Sequence, residues 1–216
     1  MAHGATVKDD QDVEHDRDGD LTRRARIRNS ALSRFAAHGF AGTTLRAIAE
    51  DASVTVGLIP HYFGSKDGMR DGVERWIVSL FASAIEDADT GSNAEVAGTR
   101  ERNAAVARML RENPLVVDYL RREILQLDGD GALISRLVLL TRESVDTMRE
   151  AGQASTERHR VEQVVAVMVR QLGQLFLQPM VDQIVQEFPE GERPEALPEL
   201  SVGVQKASER ALRITQ

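Results

Sequence analysis

The stretch from Thr44 to Lys66, TLRAIAEDASVTVGLIPHYFGSK, leaves the chain few options. Leu45, Ile48, Ala49 and Ala52 recur at the 3,4 spacing of a buried helical stripe. Thr43 or Thr44 can cap that helix by offering a side-chain oxygen to an otherwise orphan amide. Ser53 and Val54 make a turn, and Thr55 is placed to cap a second short helix carrying Val56, Gly57, Leu58 and His61. Those residues are too small or too mixed to build a core, so Tyr62 and Phe63 are expected to anchor the helix. Gly64 stops it and Ser65 caps the next helix, with Asp67 in a first turn that favours negative charge. Two short helices of this kind, the second lightly built, have the form of a helix-turn-helix that offers its second member to a duplex.

Charge is distributed as such a module requires. The 216-residue chain is acidic at net −7, yet residues 21–70 hold eight basic against three acidic side chains, with none acidic from Leu21 to Arg46. A basic segment in an acidic chain points to phosphate binding confined to one site. The helix over Arg23–His38 buries Ile27, Ala31, Leu32 and Phe35, and Gly39 closes it. Arg23, Arg24, Arg26 and Arg28 crowd its start, where positive charge opposes the macrodipole unless phosphates neutralise it. Residues 1–20 are polar, acidic and aperiodic, and a disordered acidic arm is expected there.

Helical periodicity runs through the rest of the chain, and no strand pattern interrupts it. A long helix from Ser65 to about Ala88 places Met69, Val73, Trp76, Ile77 and Leu80 on its apolar side. Thr90–Asn93 reads as a linker and Ala94–Glu112 as a helix, and Asn113-Pro114 starts another. Further helices are expected over Ala132–Gly152, over Thr156–Phe188 with a kink at Pro179, and over Leu200–Ile214. The fold class is therefore all-α.

No catalytic constellation is present. There is no cysteine, which excludes disulfides, thiolate metal sites and cysteine nucleophiles. The five histidines lack metal-binding spacing, and no serine lies in a G-x-S-x-G elbow. The chain is read as no enzyme, with no metal and no cofactor. No uninterrupted apolar run approaches 18 residues, so the expectation is a cytoplasmic protein with no membrane partner.

At the TT-x-x-x-IA start, the V-[ST]-x-G turn and the HYFGSKD ending, the sequence resembles the amino-terminal domain of TetR-type (tetracycline-repressor-like) bacterial regulators, over roughly Thr22 to Arg75. It departs from that pattern at Ser53, where the family commonly has glycine, and at Pro60, where an aromatic residue is common. NPLVVDYLRREIL and QLGQLFLQPMVD are similar to the carboxy-terminal domain of an actinobacterial subset of the same family. The resemblance implies a DNA-binding domain over residues 21–66 with its helix-turn-helix at 44–63, then a helical ligand-binding and dimerisation domain over 67–216.

DNA backbone contacts are expected from Arg24, Arg26, Thr43, Thr44, Tyr62 and Lys66. Base edges are left to Thr55, Val56, Gly57, Leu58 and His61. One such module reads few base pairs, so a homodimer on a palindromic operator is expected, joined through the long helix over 156–188 and the last helix. The family also implies a pocket for a small apolar effector, with Trp76, Leu110, Tyr119 and Leu120 as candidate lining residues, and Met148, Met168 and Phe176 beside them. The function so read is a repressor released from DNA by that effector. The alternative is a helical protein-interaction module that has lost specific DNA binding.

Overall fold

The computed structural model of the chain describes residues 10–91, 97–126, 132–196, 198, 200 and 202–204. Among the described residues there are α-helices and one 3₁₀ turn, and no strand. In chain order these are α1 (Asp10–Gly42), α2 (Leu45–Asp51), α3 (Leu58–Phe63), α4 (Lys66–Thr90), α5 (Thr99–Glu112), α6 (Pro114–Gln126), α7 (Ala132–Glu150) and α8 (Arg160–Gln186). The 3₁₀ turn at Glu190–Glu192 follows.

The chain divides into two compact units, the first from residues 1–77 and 118–125, the second from 78–117 and 126–216. The first unit thus runs past residue 66, to Ile77, and takes in part of α6. Its core is the stripe expected of α1, Ile27, Ala31, Leu32 and Phe35, against Ile48, Ala49 and Ala52 of α2 and Met69, Val73 and Ile77 of α4. Each is less than one-tenth exposed, and a fully buried side chain of this size contributes about 1.5–3 kcal/mol. In the second unit, Val106, Met109 and Leu110 of α5 share the core with Leu133, Leu137, Val145 and Met148 of α7.

Several expectations are corrected. Residues 10–20, read as part of a disordered arm, are helical. Acidic side chains at a helix start complement the macrodipole, and no proline interrupts the run from Asp10 to Gly39. Residues 1–9 lie outside the described residues. Helix α8 begins at Arg160, not Thr156, because His159 caps it: Val161 N–H donates to His159 Nδ1 at 3.3 Å. The preceding loop is tied by Arg149, which donates to the carbonyls of Arg158 (2.9 Å) and Thr156 (3.2 Å). Helix α8 is also long and apolar enough to cross a membrane by length and mean hydropathy (1.3), although no uninterrupted apolar run reveals it.

The helix runs unbroken through Pro179. Asn113 behaves differently from a forward cap: its side-chain amide donates back to the Met109 carbonyl (2.8 Å), closing α5, while Pro114 opens α6. Of the expected last helix, Leu200 and residues 202–204 are not helical, and 205–216 lie outside the described residues.

Candidate nucleic-acid interface

Helix α2 is fastened at both ends. At its start, the Thr44 hydroxyl oxygen accepts from Ala47 N–H (3.2 Å), the cap expected from sequence. At its end, Arg34 of α1 makes a two-pronged ion pair with Asp51, with Nη2 to Oδ1 at 2.7 Å. The guanidinium's hydrogen bonds hold the Asp51 carboxyl below the usual carboxylate range. Thr43 is buried, at 2 % exposure, and its hydroxyl donates to the Gly39 carbonyl (2.8 Å), with the Arg34 carbonyl sharing the same proton at 3.2 Å. The expected phosphate contact from Thr43 is therefore corrected: its hydroxyl stitches α1 to α2. Gly39 itself takes φ 73°, the left-handed conformation that ends the straight part of α1.

The turn that follows puts Ser53 at φ 54°, so the position where the resembling family carries glycine does need left-handed backbone here. Leu58 N–H then donates to the Thr55 carbonyl (3.0 Å) and Ile59 N–H to that of Val56 (3.1 Å). These three-residue bonds are 3₁₀ geometry, and the helix proper starts only at Leu58 with Gly57 as its cap position. Thr55 is not the side-chain cap. The delay removes the difficulty posed by Pro60, because its missing N–H falls among the first-turn amides that have no intrahelical partner anyway.

Ile59, completely buried, is the residue that pins α3 to the core; sequence reasoning assigned that role to Tyr62 and Phe63, which are only half-buried. The misreading came from treating α3 as beginning at Val56, which rotates the inward face. Phe63 still has a structural part. A Cβ on Gly72 would lie 2.9 Å from its ring, and one on Gly68 would overlap its carbonyl oxygen, so two glycines in α4 admit it. Outward, the segment presents Thr55, Val56, Gly57, Pro60 and His61, with Leu58 half-buried beside them. His61 meets Tyr62 edge-on at 5.0 Å between ring centroids.

Cations surround this face. Arg24 and Arg26 are exposed, and the Arg24 guanidinium lies 5.6 Å from the Phe63 ring. Arg28 lies 4.1 Å over Trp76, and Lys66 4.4 Å over Phe40. Burial, then the neighbouring Arg24, lowers the Arg28 pKa from its ordinary value. Arg46, on α2, is highly exposed and pairs with Glu50 at 3.1 Å. The arginine cluster over residues 23–28 was the signal for Arg28; Arg46 had none beyond its place on a polar face.

Helix α6 supports the module from behind. Arg122 donates from Nε to the Ala36 carbonyl (2.8 Å) and from Nη2 to that of Ala37 (2.9 Å), near the end of the straight part of α1. Arg70 bridges Glu74 (3.0 Å) and Glu123 (2.7 Å), and the Tyr119 hydroxyl donates to Glu74 (3.3 Å). Burial, reinforced by the carboxylates of Glu123 and Glu74, pushes the Tyr119 hydroxyl above its ordinary pKa, so it stays a donor. Tyr119, Leu120 and Trp76, expected in an effector pocket, thus belong to the first unit. A polar network on an otherwise apolar helix face is hard to foresee, since each member reads singly as core or surface.

The second unit encloses a cavity of about 40 Å³ among the end of α4, α5, α7 and α8. Of the candidate effector contacts, Leu110, Met148 and Met168 lie on its wall; Phe176, half-buried, does not. That volume holds a few waters and is well below the roughly 300–1,000 Å³ of a drug-sized site. On α8, Val161, Val165, Val169, Leu177, Met180 and Ile184 are exposed along a stripe about 35 Å long at 1.5 Å per residue. Gly173, midway along α8, is covered by Val202 of the same chain.

A capped helix, a left-handed turn and a short helix with a solvent-facing outer side, ringed by cations, define a helix-turn-helix DNA-binding domain. Residues 27–73 match the family described as bacterial regulatory proteins, tetR family. Over those residues the chain carries the amino-terminal DNA-binding domain of TetR-family bacterial transcriptional regulators. It is 48% identical over 77 residues to the HTH-type transcriptional regulatory protein RaaS of Mycobacterium tuberculosis, covering 34% of this chain and 36% of that one. It is 39% identical over 56 residues to the HTH-type transcriptional regulator BetI of Paraburkholderia xenovorans, 26% of this chain and 29% of the relative. The chain thus spans only about a third of the length of these curated relatives. Two solved structures share the fold at a TM-score of 0.55. One, a Shewanella sp. PV-4 protein assigned to the same family, is 18% identical and aligns over 79% of this chain and 92% of its own. The other, described under the molecular basis for control of antibiotic production by bacterial hormones, is 21% identical over 76% and 93%.

Proposed function

We propose that this chain is a cytoplasmic, homodimeric repressor that binds a palindromic operator and is released by a small apolar effector. The observation that carries the reading is the outer side of the segment from Thr55 to Phe63, where Thr55, Val56, Gly57, Pro60 and His61 all face solvent while Ile59 alone is fully buried. In this reading Arg24, Arg26, Thr44, Tyr62 and Lys66 hold the phosphate backbone. Val56 and Leu58 meet thymine methyls, Gly57 lets the backbone approach closely, and Thr55 and His61 offer hydrogen bonds to base edges. With no Arg, Asn or Gln on α3, groove shape carries a large share of the sequence preference.

The exposed stripe of α8 supports dimerisation, since an apolar face this long is rarely left in water. Two heads about 34–36 Å apart, or a multiple of it, would meet successive major grooves. An effector seated in the second unit would act by favouring the conformer whose heads mismatch the operator, a coupling of about 1–3 kcal/mol. A gel shift with DNA flanking the coding region tests the reading. A complex is expected that weakens steeply with salt, persists against non-specific competitor and contains two chains per site. A salt-insensitive or sequence-indifferent result would favour a protein-interaction module.

A further inference from the structure

Resting on the reading of the second unit as an effector domain, we infer that the effector is an electrically neutral, slender molecule, apolar along its length, with one hydrogen-bonding group held by Asn103 and Gln171. The charge argument comes first. Among the described residues lining the cavity, Arg102 is the one ionisable side chain, and it is 4% exposed. Its guanidinium is already committed. Nε and Nη2 donate to the two oxygens of Asp89 (3.0 and 2.8 Å), and Nη1 donates to the Ser144 carbonyl (3.1 Å) and hydroxyl. Four of the five guanidinium N–H groups are thereby used, and its charge is balanced by a carboxylate.

An anionic ligand would have to displace Asp89 from that pair or lie beside it against repulsion. A cationic ligand finds no carboxylate on the wall, because Asp89 does not line the cavity and is engaged by Arg102 and by Ala97 N–H (3.0 Å). Burying either kind of charge without a partner is costly, so the wall selects for neutrality.

The polar contact is given by two amides. Gln171 Nε2 donates to Asn103 Oδ1 at 3.4 Å, the long limit of a hydrogen bond, so the pair exchanges little energy and keeps donors and acceptors to offer. A carboxamide or hydroxyl on the ligand could replace that weak bond with better ones. Length follows from α8, whose lining residues run from Val167 through Met168, Gln171 and Leu172 to Leu175. Eight residues of helix rise make a wall about 12 Å long. The cavity is small as it stands, but Met148 of α7 and Met168 of α8, both on its lining, are unbranched and can shift to admit a narrow chain.

Isothermal titration of the full chain with decanamide, decanoate and decylammonium at about pH 8, where both charged probes are ionised, tests this. Decanamide is expected to bind roughly tenfold or more tightly than either charged probe, and Asn103→Leu with Gln171→Leu to weaken it by about tenfold. Asp89→Asn, which leaves Arg102 uncompensated, is expected to raise decanoate affinity. Decanoate or decylammonium binding the unaltered chain as tightly as decanamide would overturn the inference. So would no binding of any probe, which would remove the effector-domain reading as well. Decanamide binding in the expected order without loosening the operator complex would uphold the inference and sink release by effector instead.

Discussion

Arg34 and Asp51 meet across the junction of α1 and α2, with the guanidinium Nη2 2.7 Å from the carboxylate Oδ1. Because Arg34 holds the Asp51 pKa below its unfolded value, the pair contributes stability at and above the ordinary carboxylate range. That contribution disappears as pH falls through the lowered Asp51 value. Asp51→Asn should therefore be less stable than the parent at neutral pH, with a gap that narrows as the pH falls below the ordinary carboxylate range. Denaturant midpoints of both proteins at pH 7 and at about pH 2.5 check this. A gap that did not narrow in acid would show that the carboxylate charge is not its source.

Ser53 tests how much strain the turn carries. A non-glycine residue at φ 54° costs about 1–2 kcal/mol, while glycine in its place loses about 0.5–1 kcal/mol more chain entropy on folding. Ser53→Gly should accordingly stabilise the first unit by about 0.5–1 kcal/mol. Ser53→Val, β-branched in the same conformation, should destabilise it by at least about 1 kcal/mol. Urea unfolding with a probe confined to this unit, the single tryptophan Trp76, reads both.

Pro60 offers a sharper contrast. In a helix interior proline costs about 3 kcal/mol, and its removal would then be strongly stabilising. Here α3 starts at Leu58, so Pro60 gives up no helical hydrogen bond of its own. Pro60→Ala should change stability by less than about 0.5 kcal/mol. A gain near 3 kcal/mol would mean that the helix extends back to Thr55.

These positions also show what local pattern could disclose. The stripes of α1 and α4, the Thr44 cap and the Gly39 and Gly64 stops were all legible, because each depends on neighbours within one or two turns. Which way α3 faces was not, since one proline shifted its start and with it the buried residue to Ile59. Nor were the partners of Tyr119, Leu120 and Trp76. All three are apolar or aromatic residues on amphipathic helices, and only the long-range pairing of α6 with Arg70, Glu74 and the end of α1 decides that they serve the first unit. Periodicity gives a residue's side of its helix and is silent about which neighbour that side meets.

Thr43 and Lys66 separate a structural from an electrostatic role within the DNA-binding domain. Thr43 is buried with its hydroxyl proton shared between two α1 carbonyls, whereas Lys66 is partly exposed over the Phe40 ring in the first turn of α4. Thr43→Val removes hydrogen bonds and no charge, so it should cost about 1 kcal/mol of stability and leave the salt dependence of operator binding unchanged. Lys66→Ala should do the reverse. It leaves folding nearly intact, but it removes one phosphate-neutralising cation from each protomer and should flatten the slope of log Kd against log salt by about 0.9 per protomer, about 1.8 for the dimer. Gel shifts of both variants between about 50 and 200 mM salt, beside their urea midpoints, distinguish the two. If Thr43→Val altered the slope and Lys66→Ala did not, the assignment of the phosphate-binding edge to the start of α4 would have to be abandoned.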